Sequence, residues 1–226
     1  MLEEIQNELR KYVDKTYLVQ RFFKEKTDFL QVRVPNIRVV AKKYANVDLA
    51  IVEALLKCKF HEERGLGLIM LSNAYKKDAE QNKEIFEIYM RNLDAVNTWA
   101  LVDVSAHLIV GRYIYDNPHL GDVLKDLASR ELIYEIRVGI VATLWLIRKG
   151  KFNLALEVLG EAHLHQHYLI CQAVGWVVRE IGKKKASKMR EFLDKYIEVL
   201  PKITVRNIIQ KMDGVEKSFW LERMAE

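Results

Sequence analysis

Along most of this chain, apolar residues recur at spacings of three and four with charged residues between them, the spacing of one helix face. The first stripe is Leu2, Ile5, Leu9, Tyr12 and Val13. Residues 1 to about 24 predict two short helices, and the mixed, charged stretch 24–34 predicts a loop. Pro35 is placed to open a helix carrying Ile37, Val40, Ala41 and Tyr44, which Asn46-Val47-Asp48 breaks. Further helices are expected over residues 49–59, 61–72 and 83–90, with a polar connector over 73–81. Another runs from Trp99 to near Gly111, and others over 119–128, 134–148 and 152–159. A helix carrying residues 172–180 stops at Gly182 and the three lysines after it, and 186–200 forms the next. Pro201 starts a last pair with Thr204, Arg206 and Lys211 on its polar side, capped by the apolar Phe219-Trp220-Leu221.

The stripes repeat. His61, Trp99, Arg137 and Trp176 stand roughly 38 residues apart, each in the first half of an apolar helix that follows a shorter amphipathic one. That period predicts an all-α chain, a curved α-solenoid of HEAT-like or armadillo-like helix pairs, about six of them, forming one domain over residues 1–226. In such an array the second helices line one concave face, so Trp99, Asp103, Arg137 and Trp176 are expected to converge there. Gln172, Trp176 and Arg179 fall at i, i+4 and i+7 and share a face.

Composition sharpens the picture little. The chain has 226 residues, half of them hydrophobic and 30% charged, with only three prolines and ten glycines, which suits a helical globular protein. Cys58 and Cys171 lie in apolar helical segments and are expected as buried, reduced thiols. The acidic, amphipathic N-terminus lacks the pattern of a signal peptide, and no stretch reaches the roughly 18 apolar residues of a membrane span. A cytoplasmic location is expected. The net charge of +5 is compatible with a polyanionic partner.

Candidate chemistry centres on Trp99 and Asp103. Asn97 or Thr98 can cap the helix, and Asp103 is the one acid in the apolar run that follows. Four residues apart, Trp99 and Asp103 share a face. A half-buried carboxylate beside tryptophan needs an offset. It is either an arginine in the core or a cation, bound or formed during a reaction. His61-Glu62-Glu63-Arg64 opens its helix with two acids that suit the helix dipole, and the Arg64 stem is expected buried with its head paired. Arg148, Lys149, Lys151 and Lys183 to Lys185 gather at helix ends, either as solvated C-termini or within reach of phosphates. His163, His165 and His167 have no acid set beside them, so no metal site is expected. Trp145 and Trp220 read as core. No phosphate-binding glycine loop, nucleophile elbow or His-Glu-x-x-His is present.

At these residues the chain resembles the DNA alkylation repair family of AlkD-type HEAT-like repeat DNA glycosylases. The resemblance rests on Val34-Pro35, His61 to Arg64, Trp99-Ala100-Leu101-Val102-Asp103, Arg137-Val138-Gly139-Ile140, and Ala173-Val174-Gly175-Trp176 through Glu180. It departs from the family pattern at Ala100, where an acid is common, and at Ile136, where a second arginine is common. The resemblance implies excision of positively charged N3- or N7-alkylated purines from double-stranded DNA by a monomer, without drawing the base into a pocket and without metal or organic cofactor. It implies Asp103 as the group that stabilises the sugar cation and places water. Trp99 and Trp176 would pack against the lesion nucleotide, and Arg137 would contact a backbone phosphate. Arg179, Arg148, Lys149, Lys183 and Lys184 are further DNA-contact candidates, and Phe22 matches an N-terminal aromatic of the family.

Two other functions fit the repeats. A non-catalytic relative that binds DNA structures such as branches has no need of Asp103. A protein scaffold would carry an acidic or apolar concave face in place of a basic one.

Overall fold

The computed structural model describes residues 1–24, 26–75 and 78–225. Among these residues the chain is all-α: the only β feature is one isolated parallel bridge, Asp28 to Phe60. No helix is long and apolar enough to cross a membrane, among the described residues. By its contacts the chain forms two compact units, Met1–Tyr113 and Ile114–Glu226.

The first unit begins with α1 (Leu2–Arg10), a 3-10 turn (Val19–Phe22) and α2 (Val34–Lys43), with Pro35 in the first turn of α2, where a missing N–H costs nothing. Then follow α3 (Leu49–Leu56), α4 (His61–Ala74), α5 (Ala79–Arg91) and α6 (Trp99–Ser105). Helix α4 is the centre of this unit. It packs against α2, α3, α5 and α6, and His61 through Leu71 are all buried. A helix buried on every side has no polar face, and the charged start of α4 must therefore find partners inside the protein.

After α7 (Val110–Asp116) and a 3-10 turn (Pro118–Leu120), the second unit contains α8 (Asp122–Ala128), α9 (Ile133–Arg148), α10 (Asn153–Ala162), α11 (Tyr168–Lys184), α12 (Ala186–Tyr196), α13 (Lys202–Ile209) and α14 (Gly214–Ala225). Helix α9 packs on α8, α10 and α11, and α11 packs on α9, α12 and α13. Helices α9, α11 and α13 thus stack on one another, with α8 beside α9 and α12 beside α11. This is the packing of an α-solenoid. Within the first unit α1 packs on α2 and α3 on α4; within the second α8 packs on α9 and α10 on α11.

Two glycines of the quoted motifs allow the second unit its close approaches. A Cβ at Gly139 would lie 2.8 Å from the Leu124 carbonyl oxygen and 2.9 Å from the Ala128 amide nitrogen on α8. A Cβ at Gly175 would strike the Asn207 side chain and stand 3.1 Å from the Thr204 carbonyl oxygen on α13. Helix α9 ends where Gly150 takes φ +75°, a conformation glycine adopts without strain.

Several boundaries differ from the periodicity. Helix α5 starts at Ala79, ahead of the expected 83, because the Asp78 carboxylate caps the Glu80 and Gln81 amides at 3.1 and 3.4 Å. Residues 76 and 77 of the expected connector lie outside the described residues. The helix expected from Trp99 to Gly111 stops at Ser105 and resumes at Val110. Between them the Gly111 amide reaches back five residues to the Ala106 carbonyl at 3.0 Å. Ser105 donates its hydroxyl to the Leu101 carbonyl at 2.6 Å, a back-bond that bends helices. Thr204, expected on a polar face, is buried. Cys171 is buried as expected, but Cys58 is only half-buried, with its Sγ near the Ala54 carbonyl and the Gln6 amide. Trp220 is core, whereas Trp145 is half-buried and Phe219 is exposed.

Candidate functional site

Helix α6 is short, and its two faces differ. Leu101, Val102 and Ser105 turn inward and are buried, while Trp99, Ala100, Asp103 and Val104 are half-buried on the other side. Several contacts fix the inner face. The Thr98 hydroxyl caps the first turn by accepting the Leu101 amide at 3.3 Å. The Tyr89 hydroxyl, fully buried, lies 3.2 Å from Ser105 Oγ. Burial pushes the Tyr89 phenol up, its Ser105 hydrogen bond pulls it back, and the Asp103 carboxylate pushes it up further. Trp99 and Asp103 are therefore presented side by side on a helix anchored from behind.

Four aromatic rings close around the start of α6. Phe23 lies nearly parallel to Trp99, with ring centroids 5.3 Å apart and an interplanar angle of 17°. Phe23 also meets Phe29 at 5.0 Å and His61 at 5.1 Å, and Phe29 meets His61 at 5.0 Å. The ring against Trp99 is thus that of Phe23, whereas Phe22 is 63% exposed.

The start of α4 holds the loop that carries these rings. The Glu62 carboxylate, buried, accepts the amides of Leu30 and Gln31 at 2.8 Å each and of Val32 at 3.2 Å. Burial pushes its pKa up, and those backbone bonds counter the shift. Gln31 reaches φ +66° to present its amide to the carboxylate. Glu63 accepts Gln6 at 3.1 Å and Arg10 at 2.9 Å, tying α1 to α4. Arg64 donates to the carbonyls of Cys58 and Lys59, to the Thr27 hydroxyl at 2.9 Å and to Asn97 Oδ1 at 3.1 Å. The His61 amide donates to the Asp28 carbonyl at 2.8 Å. The two acids sit in the first turn, where they suit the helix dipole, and are also buried anchors. The Arg64 head finds neutral oxygens beside Asn97, just ahead of α6.

In the second unit, α9 and α11 place the remaining candidates. Arg137 is buried, and its Nη1 donates to the Leu169 carbonyl at 2.6 Å, joining α9 to the first turn of α11. On α11, exposed Gln172 and half-buried Trp176 and Arg179 form the outward row that their spacing implies. Arg179 Nη1 also donates to the Asn207 carbonyl and to Gln210 Oε1 at 3.3 Å, which fastens α11 to the end of α13. Arg148, Lys149 and Lys151 are exposed where α9 ends, and Lys149 Nζ lies 5.5 Å from the Trp145 ring centroid. Lys183, Lys184 and Lys185 are exposed at the end of α11, with Lys183 paired to Glu180.

The three histidines between α10 and α11 have local duties. His163 Nδ1 lies 2.7 Å from the Gly160 carbonyl, His165 Nδ1 accepts the His167 amide, and His167 Nδ1 caps α11 by accepting the Leu169 amide. Among the described residues no three potential ligands gather around a metal-sized space.

What the sequence did not mark is the cluster of Phe23, Phe29 and His61. Residues 23 to 33 have no periodicity, so adjacent Phe22 and Phe23 cannot be told apart by pattern. The one usable signal was Glu62-Glu63, since two acids opening a helix that runs on in apolar residues from Leu66 to Leu71 must be bonded from outside it.

No curated protein matches this chain. Its fold is that of a solved structure described as a predicted DNA alkylation repair enzyme from Enterococcus faecalis, with a TM-score of 0.69 over 87% of this chain and 93% of that one, at 14% identity. The family model for DNA alkylation repair enzymes matches residues 5–212, which takes in α4, α6, α9 and α11 with every motif described above. A match over nearly the whole length settles the family: the chain belongs to the DNA alkylation repair enzymes.

Proposed function

We propose that this enzyme is a DNA glycosylase that removes positively charged N3- or N7-alkylated purines from double-stranded DNA, with residues 1–226 working as one HEAT-like repeat domain and as a monomer. The observation that carries the reading is the outer face of α6, where Trp99 and Asp103 stand together on a helix locked from behind by Thr98, Ser105 and Tyr89. Alkylation at N3 or N7 puts a formal positive charge on the purine. When the bond from C1′ to the base breaks, the electron pair goes to the base, which leaves neutral, and the charge passes to the sugar. The Asp103 carboxylate stabilises that sugar cation and orients a water whose oxygen bonds to C1′, the water's proton passing to the carboxylate or to solvent. Because the leaving group carries its own charge, no general acid and no flipped-base pocket is required.

Trp99 offers an aromatic face to the cationic nucleotide, as does Trp176 on α11. Exposed Arg148, Lys149 and Lys184 are the best placed for phosphates, and Lys183 joins them by exchanging its Glu180 partner. Arg179 keeps one nitrogen on α13, and Arg137 reaches a phosphate only if the first turn of α11 gives way, since its Nη1 holds Leu169. Exposed Phe22 is a further candidate contact.

Incubating the protein with duplex DNA carrying 7-methylguanine tests the reading. Release of the free base with formation of an abasic site is the expected result. Tight binding without release would overturn it in favour of a DNA-structure-binding relative, and no DNA binding at all would leave a protein scaffold.

A further inference from the structure

We infer that His61 and Thr98 form a positioning couple that sets the orientation of the Trp99–Asp103 face for the reaction; the inference rests on the glycosylase reading for its kinetic consequence, and on geometry alone for its structural one. His61 opens α4 and Thr98 caps α6, thirty-seven residues on, yet His61 Nε2 lies 3.1 Å from Thr98 Oγ1. Both are buried, at 8% and 0% exposure. His61 Nδ1 is also buried and has no hydrogen-bond partner among the described residues. A neutral imidazole carries one N–H, so either Nε2 donates to the Thr98 hydroxyl or that hydroxyl donates to Nε2; in both cases one hydrogen bond joins the two side chains.

That hydroxyl is consequently held twice, by its bond with His61 Nε2 and by the Leu101 amide it accepts. Two partners from different helices fix its χ1 rotation. The residue after Thr98 is Trp99, and one further turn brings Asp103. Any rotation of the cap turns both side chains together. The same imidazole presses on Phe23, and Phe23 in turn covers Trp99 at 5.3 Å. His61 thus reaches Trp99 by two routes, through the cap and through the ring stack. It touches neither substrate nor water in this scheme and is a positioning residue.

The couple is separable from packing because His61→Phe keeps a ring among Phe23, Phe29 and Trp99 while deleting Nε2. His61→Gln places an amide nitrogen near the Nε2 position, and Thr98→Val deletes the shared hydroxyl from the other side. Single-turnover release of 7-methylguanine at saturating enzyme should slow by about tenfold or more in His61→Phe and in Thr98→Val, with DNA affinity within about twofold of the parent. The double variant should be no slower than the slower single, and His61→Gln and Thr98→Ser should recover most of the rate. Amide exchange at Leu101, measured on the same proteins without DNA, should accelerate in His61→Phe and Thr98→Val and return in the rescue variants. An unchanged rate in both deletions, additive losses in the double variant, or slow Leu101 exchange in His61→Phe would each overturn the couple. If the parental protein releases no base, the glycosylase reading fails, and Leu101 exchange alone decides the couple.

Discussion

Acidification should expose the burial of His61. The ring is 8% exposed, and burial, with the Arg64 charge second, lowers its pKa from 6.5 to about 4. Between those values the unfolded chain binds a proton that the folded chain does not. Stability therefore rises with pH across this window: the contribution is fully present above the unfolded value and lost as pH falls toward the folded one. A gap of roughly 2.5 pH units is worth about 3 kcal/mol at most, and the step from pH 7 to pH 4.5 takes about 2 kcal/mol of it. Urea denaturation of the parent and of His61→Phe at both pH values isolates this contribution, because the acids around it, Glu62 among them, titrate in both proteins. The parent should lose about 2 kcal/mol more than His61→Phe on acidification. Equal losses would refute the reasoning, and a larger loss in the variant would reverse its sign.

Three further outcomes follow from the same geometry. DNA affinity should fall by roughly tenfold or more between low and physiological salt, as titration by fluorescence anisotropy would show, because displaced counterions drive phosphate contacts; a flat response would point to a protein partner. Gly175→Ala should destabilise the protein by about 1–3 kcal/mol in chemical denaturation, since the new methyl meets Asn207 and the Thr204 carbonyl and α13 must move off α11; a neutral effect would mean that this approach is looser than it looks. Phe23→Ala should lower the melting temperature while Phe22→Ala leaves it within about a degree, because only Phe23 packs against Trp99, Phe29 and His61; the opposite order would reassign the ring stack.

The helices were legible because burial writes a 3.6-residue period into each of them, and the roughly 38-residue recurrence that holds Arg137 and Trp176 matches the packing of α9 on α11. The shared face of Trp99 and Asp103 followed from i, i+4 spacing alone. Partners were harder to read. The family resemblance implies Arg137 as a phosphate contact, yet its spacing cannot reveal that the Leu169 carbonyl, 32 residues on, takes its Nη1. Glu62 and Glu63 fit the dipole of their own helix equally well, and only the path of the 28–33 loop and the seat of α1 make them buried acceptors. Ser105 looks like any small helical residue until its hydroxyl competes for the Leu101 carbonyl and ends α6. In each case the periodicity reports which face is buried, while the bond depends on which atoms the fold brings to that face.

The central claim is that the Asp103 carboxylate acts on the sugar cation, and single-turnover release of 7-methylguanine from duplex DNA by Asp103→Asn tests it most directly. The amide matches the carboxylate in size, so its fit beside Trp99 is kept and only the charge is removed. Losing one preorganised electrostatic contact of this kind costs about 10²–10³ in rate. The account predicts a fall of that order with DNA affinity equal to the parent or higher, because a carboxylate near phosphates repels them. Excision by Asp103→Asn at the parental rate would contradict it and return Asp103 to the role of a structural acid.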